Sequence, residues 1–205
     1  MNEVDRALAQ IADIRAQLAA STRFKGIAPG ANVLTSALSL AVATAQSIWP
    51  ESLARDALQY VAVWAAVIVV STLIVTGEAI SRSRRLHGRM ADAMLGAALR
   101  QILPFAEAGV IITGVICRFA PLSAWMLPGL WQILIALVGF SALTSLPRRI
   151  VWAAQWYLIC GAVVLCLAGW RGSLSPWMMG VPFVVGQAGV ALILHASAGA
   201  RDGSD

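Results

Sequence analysis

Charge is the scarcest commodity in this chain. Of its 205 residues only 12% are Asp, Glu, Lys or Arg, against 59% hydrophobic, and mean hydropathy is +0.76. An average soluble domain carries about twice that charged fraction, and needs polar groups to cover its surface. The shortage is also uneven. No charged residue occurs in Gly26–Pro50, Ala57–Gly77, Phe119–Pro147, Ile150–Trp170 or Gly172–Ala200. A helix rises about 1.5 Å per residue, so a hydrocarbon core of roughly 30 Å takes about 20 residues, and every one of these gaps is that long. A sixth apolar stretch, Leu95–Cys117, is long enough but contains Arg100 and Glu107. A water-soluble globular fold is excluded. The expected fold class is an all-α polytopic transmembrane bundle of six spans, at about residues 31–48, 57–77, 95–117, 127–145, 150–169 and 177–195.

Catalytic signatures are missing as well. There is no H-E-x-x-H, G-x-S-x-G, Walker A or G-x-G-x-x-G pattern. The two histidines, His87 and His195, have no cysteine or paired carboxylate at ligand spacing, so neither metal nor haem, and no other cofactor, is expected. The three cysteines, Cys117, Cys160 and Cys166, fall inside expected spans without a C-x-x-C pair and read as small apolar core residues. The connections are too short to house a soluble catalytic domain. An intramembrane enzyme would need paired acids, Ser–His or metal ligands at one depth, and the sequence offers none.

The charges that are present carry topology. Net charge is +5, and the excess lies in short connections, which points to anionic lipid headgroups and not to nucleic acid. Arg6, Arg15, Arg23, Lys25, Arg82, Arg84, Arg85, Arg89, Arg148, Arg149 and Arg201 alternate with Arg55, Arg118 and Arg171. Eleven against three fits an even number of spans with both ends in the cytoplasm of a bacterial inner membrane. Arg100, just inside the third span, snorkels to the richer side. Trp49, Trp125, Trp170 and Trp177 all fall at the opposite ends of spans, as expected of an interfacial belt, with Trp152 and Trp156 just inside the cytoplasmic end of the fifth.

Residues 1–25 read as a separate cytoplasmic segment. Val4, Leu8, Ile11 and Leu18 make an apolar stripe at helical spacing over 2–20, opposite Glu3, Asp5, Arg6, Asp13 and Arg15. Ser21-Thr22, Gly26, Pro29 and Gly30 end it. Such a helix lies on the membrane, packs under the bundle or binds a cytoplasmic partner. The bundle is expected over 26–196 and a flexible tail over 197–205. Val33–Val42 followed by Ala43-Thr44-Ala45 imitates a signal-peptide cleavage site, but the long acidic segment before it argues against cleavage. The run Ile11-Ala12-Asp13-Ile14-Arg15, then Ser21-Thr22-Arg23-Phe24, then Pro29-Gly30 leading into a span resembles a group of small bacterial polytopic membrane proteins with the same layout. The resemblance implies the architecture and assigns no activity and no functional residue.

Leu122-Ser123-Ala124-Trp125-Met126 echoes Leu174-Ser175-Pro176-Trp177-Met178, which raises a hairpin repeat of 95–145 and 150–195 related by an axis along the membrane normal, as an alternative to convergence of two interfacial loops. The sharpest single residue is Glu107, near the middle of the third span. A charged carboxylate there costs about 3 kcal/mol on insertion scales, so it is expected to face the bundle interior, as a proton or cation site or as a neutral or Arg-paired carboxyl that fixes helix packing. Arg100 lies seven residues earlier on the same face, with Pro104 between them. Gln46, Gln132, Gln155 and Gln187 give four spans one amide each. They read as interhelical hydrogen-bonding groups, worth about 0.6 kcal/mol each, or as the lining of a polar cavity. Ser39, Ala43 and Ser47 form a small-residue ridge. Pro182, Gly186 and Gly189 interrupt the last span near Gln187. The candidate intramembrane polar site is thus Glu107, Arg100, Gln132 and Gln187, and the candidate lipid-headgroup contact is Arg82, Arg84, Arg85 and Arg89. Two functional readings follow: a non-enzymatic protein that acts by binding or assembly, through a cytoplasmic partner or a second copy of itself, and a small proton-coupled permease using Glu107.

Overall fold

The computed structural model describes residues 29–87, 91–144, 146 and 148–202. The amphipathic stripe at 2–20, the Ile11–Phe24 motif and Arg89 lie outside them. The described residues form seven helices and no strand: α1 (Pro29–Ile48), the single turn α2 (Pro50–Leu53), α3 (Ala57–His87), α4 (Ala91–Phe119), α5 (Leu127–Ser141), α6 (Ile150–Arg171) and α7 (Trp177–Asp202). Six of them are long and apolar enough to cross a membrane, with the short 3-10 segment Pro121–Met126 completing the span of α5. The protein is a multi-pass helical membrane protein. α3 runs on to His87, so Arg82, Arg84 and Arg85 ride on its last turns and not on a loop. Likewise α7 continues through Asp202, into the stretch read as a tail. Charged residues in these segments do not stop a helix once it has left the hydrocarbon.

Burial does not sort residues by polarity as it does in a soluble protein. Thr35, Ser39, Gln46 and Gln132 are 0% exposed, whereas Leu122, Val110 and Leu192 are 93%, 74% and 70% exposed. In water such an apolar surface would drive aggregation; in lipid it is the surface that costs nothing. α1 shows the rule along one helix. Asn32, Thr35, Ser39, Ala43 and Gln46 face inward, while Val33, Leu34 and Leu40 face outward. The inward hydroxyls are satisfied within the helix: Ser39 Oγ donates to Thr35 O at 2.9 Å and Thr35 Oγ1 to Asn32 O at 3.1 Å. Ser47 departs from the expected ridge and points outward, Gln46 taking the inward place. The cysteines depart too: Cys117 and Cys160 are half-buried and Cys166 is exposed, because an apolar thiol is as well solvated by lipid as by protein.

Close packing is concentrated where side chains are small. In the antiparallel α5–α6 pair, a Cβ on Gly129 would stand 2.8 Å from the Gly161 carbonyl oxygen, and one on Gly139 would stand 2.8 Å from Ala154 Cβ. Without lipid-to-water transfer to drive association, such close backbone approach is what holds spans together. α1 and α7 pair the same way. A Cβ on Gly180 would reach 2.5 Å from Ala43 Cβ, and Ser36 Oγ donates to Val184 O at 2.9 Å. Ala43, part of the motif that imitates a cleavage site, is therefore the fully buried centre of this seam. Tyr60, Trp64, Phe183 and Tyr157 fill the middle of the bundle, with Trp64–Phe183 and Tyr157–Phe183 ring centroids 6.0 and 5.7 Å apart.

Candidate functional site

The four residues of the expected intramembrane site do not converge. Gln132 sits on α5 in the core, 0% exposed. Its Nε2 donates to Met178 O on α7 at 2.9 Å and approaches Met179 Sδ at 3.3 Å. The partner is chemically specified. Pro182 has no N–H, so the carbonyl four residues earlier, that of Met178, loses its intrahelical donor. The α5 amide supplies the missing bond across the helix pair. The Pro182 carbonyl itself also accepts across the helix pair, from Trp156 Nε1 at 3.1 Å. The expected break in the last span is thus a helix bridged by its neighbours, and Gln132 Oε1 is left without a partner.

Gln46 works in the same way at the far end of α1. Its Nε2 donates to Leu53 O at 2.9 Å and its Oε1 accepts from Trp64 Nε1 at 2.8 Å, tying the turn α2 to α3. Gln187 is half-buried on α7, beside the Tyr157 ring that covers Gly186. Gln155 is exposed on α6, contrary to the expectation of an interior amide.

Glu107 lies elsewhere. It is exposed on the outer face of α4, near the middle of the Ala98–Phe119 span, and none of that span's apolar window is buried within the chain, against 28% to 39% for the other five. Arg100 is also exposed, and its Nη1 comes within 3.6 Å of a Cβ built on Gly96. The guanidinium thus folds back toward the start of α4, as expected of a snorkelling side chain, and away from Glu107. The helix runs unbroken through Pro104. No family model, curated protein or solved structure matches this chain. Its site is therefore read from its own residues: an interior in which Gln46 and Gln132 hydrogen-bond across helices, and one carboxylate facing outward at mid-span.

α4 is held to the bundle by few polar contacts, and sequence reasoning missed them. Gln101 Nε2 donates to Ser141 O at the end of α5, and Trp131 Nε1 donates to Thr113 Oγ1 at 2.9 Å. Glu78 was missed too. It accepts from Ala31 N at 2.8 Å, so a carboxylate on α3 caps the first turn of α1, where free N–H groups and the helix dipole favour an anion. Its signal was the acid lying next to the uncharged run Ala57–Gly77, at the depth where Pro29-Gly30 opens the first span. Arg82, Arg84 and Arg85 are exposed around the buried Ser83, a cationic band at the same end of the bundle as Arg148 and Arg149.

Proposed function

We infer that this chain is a non-enzymatic membrane protein that acts by assembly, and that the outer face of α4 is its docking surface for another transmembrane helix, in the first instance that of a second copy. The observation that carries the reading is Glu107. A mid-membrane acid turned toward lipid is costly, and among the described residues no element covers it. A neighbouring span that accepts or donates a hydrogen bond removes that cost. Around Glu107 the face is built for contact: Gly114 has open space where a Cβ would be, and Leu103, Val110 and Ile111 are exposed beside it. The amide nitrogens of Gln132 and Gln46 are engaged by Met178 O and Leu53 O, which favours packing over a permease path for these two residues. The basic end formed by Arg82, Arg84, Arg85, Arg148 and Arg149 supports placing both termini in the cytoplasm of a bacterial inner membrane. The 2–20 stripe adds a cytoplasmic surface for the same assembly.

The test is photo-crosslinking in native membranes from a benzoyl-phenylalanine at Ile111, with Leu40 on the outward face of α1 as the control. A discrete protein adduct at Ile111, weakened by Glu107→Leu and absent at Leu40, is the expected result. Lipid adducts alone at both positions would contradict the proposal, and proton flux lost in Glu107→Gln vesicles would favour a permease instead.

A further inference from the structure

We propose that the cleft between α6 and α7 is a phospholipid site, holding one acyl chain against the bundle and the anionic headgroup at Arg171. The two helices are joined by five residues yet splay apart. α6 gives its small-residue face to α5 through Gly161, and α7 gives its own to α1 through Gly180. Tyr157 is wedged against Gly186 at one end of the hairpin, and Trp156 holds the Pro182 carbonyl. Between this wedge and the connecting turn the pair leaves an open groove of about 320 Å³.

The walls are almost wholly apolar. Val163 and Leu167 line one side, Val181 and Pro182 the other. From Ile159 to Arg171 the groove follows α6 for about 18 Å at 1.5 Å per residue, from mid-span to the end of the helix. Its mouth is polar and cationic. Arg171 is the last residue of α6, before Gly172 turns the chain at φ +64°, and no acidic side chain lines the groove. Depth identifies the occupant. Trp170 and Trp177 flank the mouth, and Trp49 closes α1 at the same end, so the guanidinium stands at the level of the tryptophan belt, where lipid phosphates lie. An apolar slot running into hydrocarbon with the Arg171 guanidinium at headgroup depth matches an anionic phospholipid and not a soluble anion or a peptide. The site lies on the opposite flank of α6 from its α5 seam and is independent of the α4 surface.

The experiment is native mass spectrometry of the full chain in mild detergent, titrated with phosphatidylglycerol and with phosphatidylcholine of the same acyl chains. Wild type is expected to retain one phosphatidylglycerol per chain in preference to phosphatidylcholine. Arg171→Gln is expected to weaken phosphatidylglycerol about fivefold, the worth of one basic residue at a lipid surface. Arg118→Gln, at the same end but off the groove, is expected to leave it unchanged. Val163→Trp, which fills the slot, is expected to lower retention of both lipids. Val181→Phe repeats that test from the other wall, and an unchanged unfolding midpoint shows that each variant is folded. Equal effects of Arg171→Gln and Arg118→Gln would overturn the proposal by reducing it to surface attraction. So would undiminished binding in the filled-groove variants.

Discussion

The seam between α5 and α6 and the outer face of α4 are both mid-membrane surfaces with glycines on them, and they are opposites. At the seam, Gly129 and Gly161 bring backbones into contact, and the nearby Gln132 is buried with its amide nitrogen bonded to Met178 O. On α4, Gly114 meets nothing and Glu107 looks out. Because lipid tails solvate apolar side chains as well as a protein core does, hydrophobicity cannot tell the two apart. What separates them is whether small and polar residues have found a partner within the chain. At the seam the glycines have, and Gln132 has through its amide nitrogen; on α4 Gly114 and Glu107 have not among the described residues.

The comparison breaks most severely if the glycines prove interchangeable. Gly129→Leu drives a side chain into the Gly161 carbonyl and Leu165, and is expected to cost at least about 3 kcal/mol, or to abolish the folded state in a detergent unfolding titration. Gly114→Leu is expected to stay within about 0.5 kcal/mol of wild type, as at an open surface position. Equal costs would mean that the seam is not close-packed.

A smaller effect sharpens the account of the interior amide. Gln132→Leu leaves Met178 O unsatisfied and is expected to cost about 1–2 kcal/mol. Pro182→Ala restores a backbone donor to that carbonyl. In the double variant the loss of Gln132 should then cost about 1 kcal/mol less than in wild type, a coupling that a double-mutant cycle measures directly. Additivity of the two substitutions would show that Gln132 does not serve the proline gap. A smaller loss still is expected of Glu78→Gln, which keeps the hydrogen bond to Ala31 N but removes the charge from the α1 terminus, at about 0.5–1 kcal/mol in the same titration.

The architecture was legible because charge gaps report lipid directly. All six spans stand where uncharged or nearly uncharged stretches lie, and Ile48, Ala57, Leu127, Ile150 and Trp177 bound helices as expected. The ends that shifted, at His87 and Asp202, did so because polarity limits the membrane and not the helix. The candidate site was legible residue by residue and not as a constellation. A proline in a span announces a free carbonyl four residues back, and an amide at similar depth announces a donor, but only the fold shows that Pro182 and Gln132 meet. Gln155 and Gln46 are alike in sequence, and the face each presents is set by which neighbour packs there. The two matching pentapeptides also diverge: Leu122–Met126 lies in a 3-10 helix running into α5, while Leu174–Pro176 is a turn before α7. Glu107 was singled out by depth alone, and which way it faces depends on how little of α4 the rest of the chain covers.

The central claim is that this uncovered face is covered by another helix in the membrane. Ile111 and Leu40 each lie eight residues from the same-side end of their helices, so they sit at similar depth, and within the single chain Ile111 is the more exposed, 63% against 46%. Spin labels at these positions, in a background with Cys117, Cys160 and Cys166 replaced by alanine, report access to dissolved oxygen in the native membrane. The account predicts an inversion, with the label at 111 shielded and the label at 40 open, and restoration of the single-chain order in Glu107→Leu. Greater oxygen access at 111 than at 40 in the otherwise native protein would contradict it.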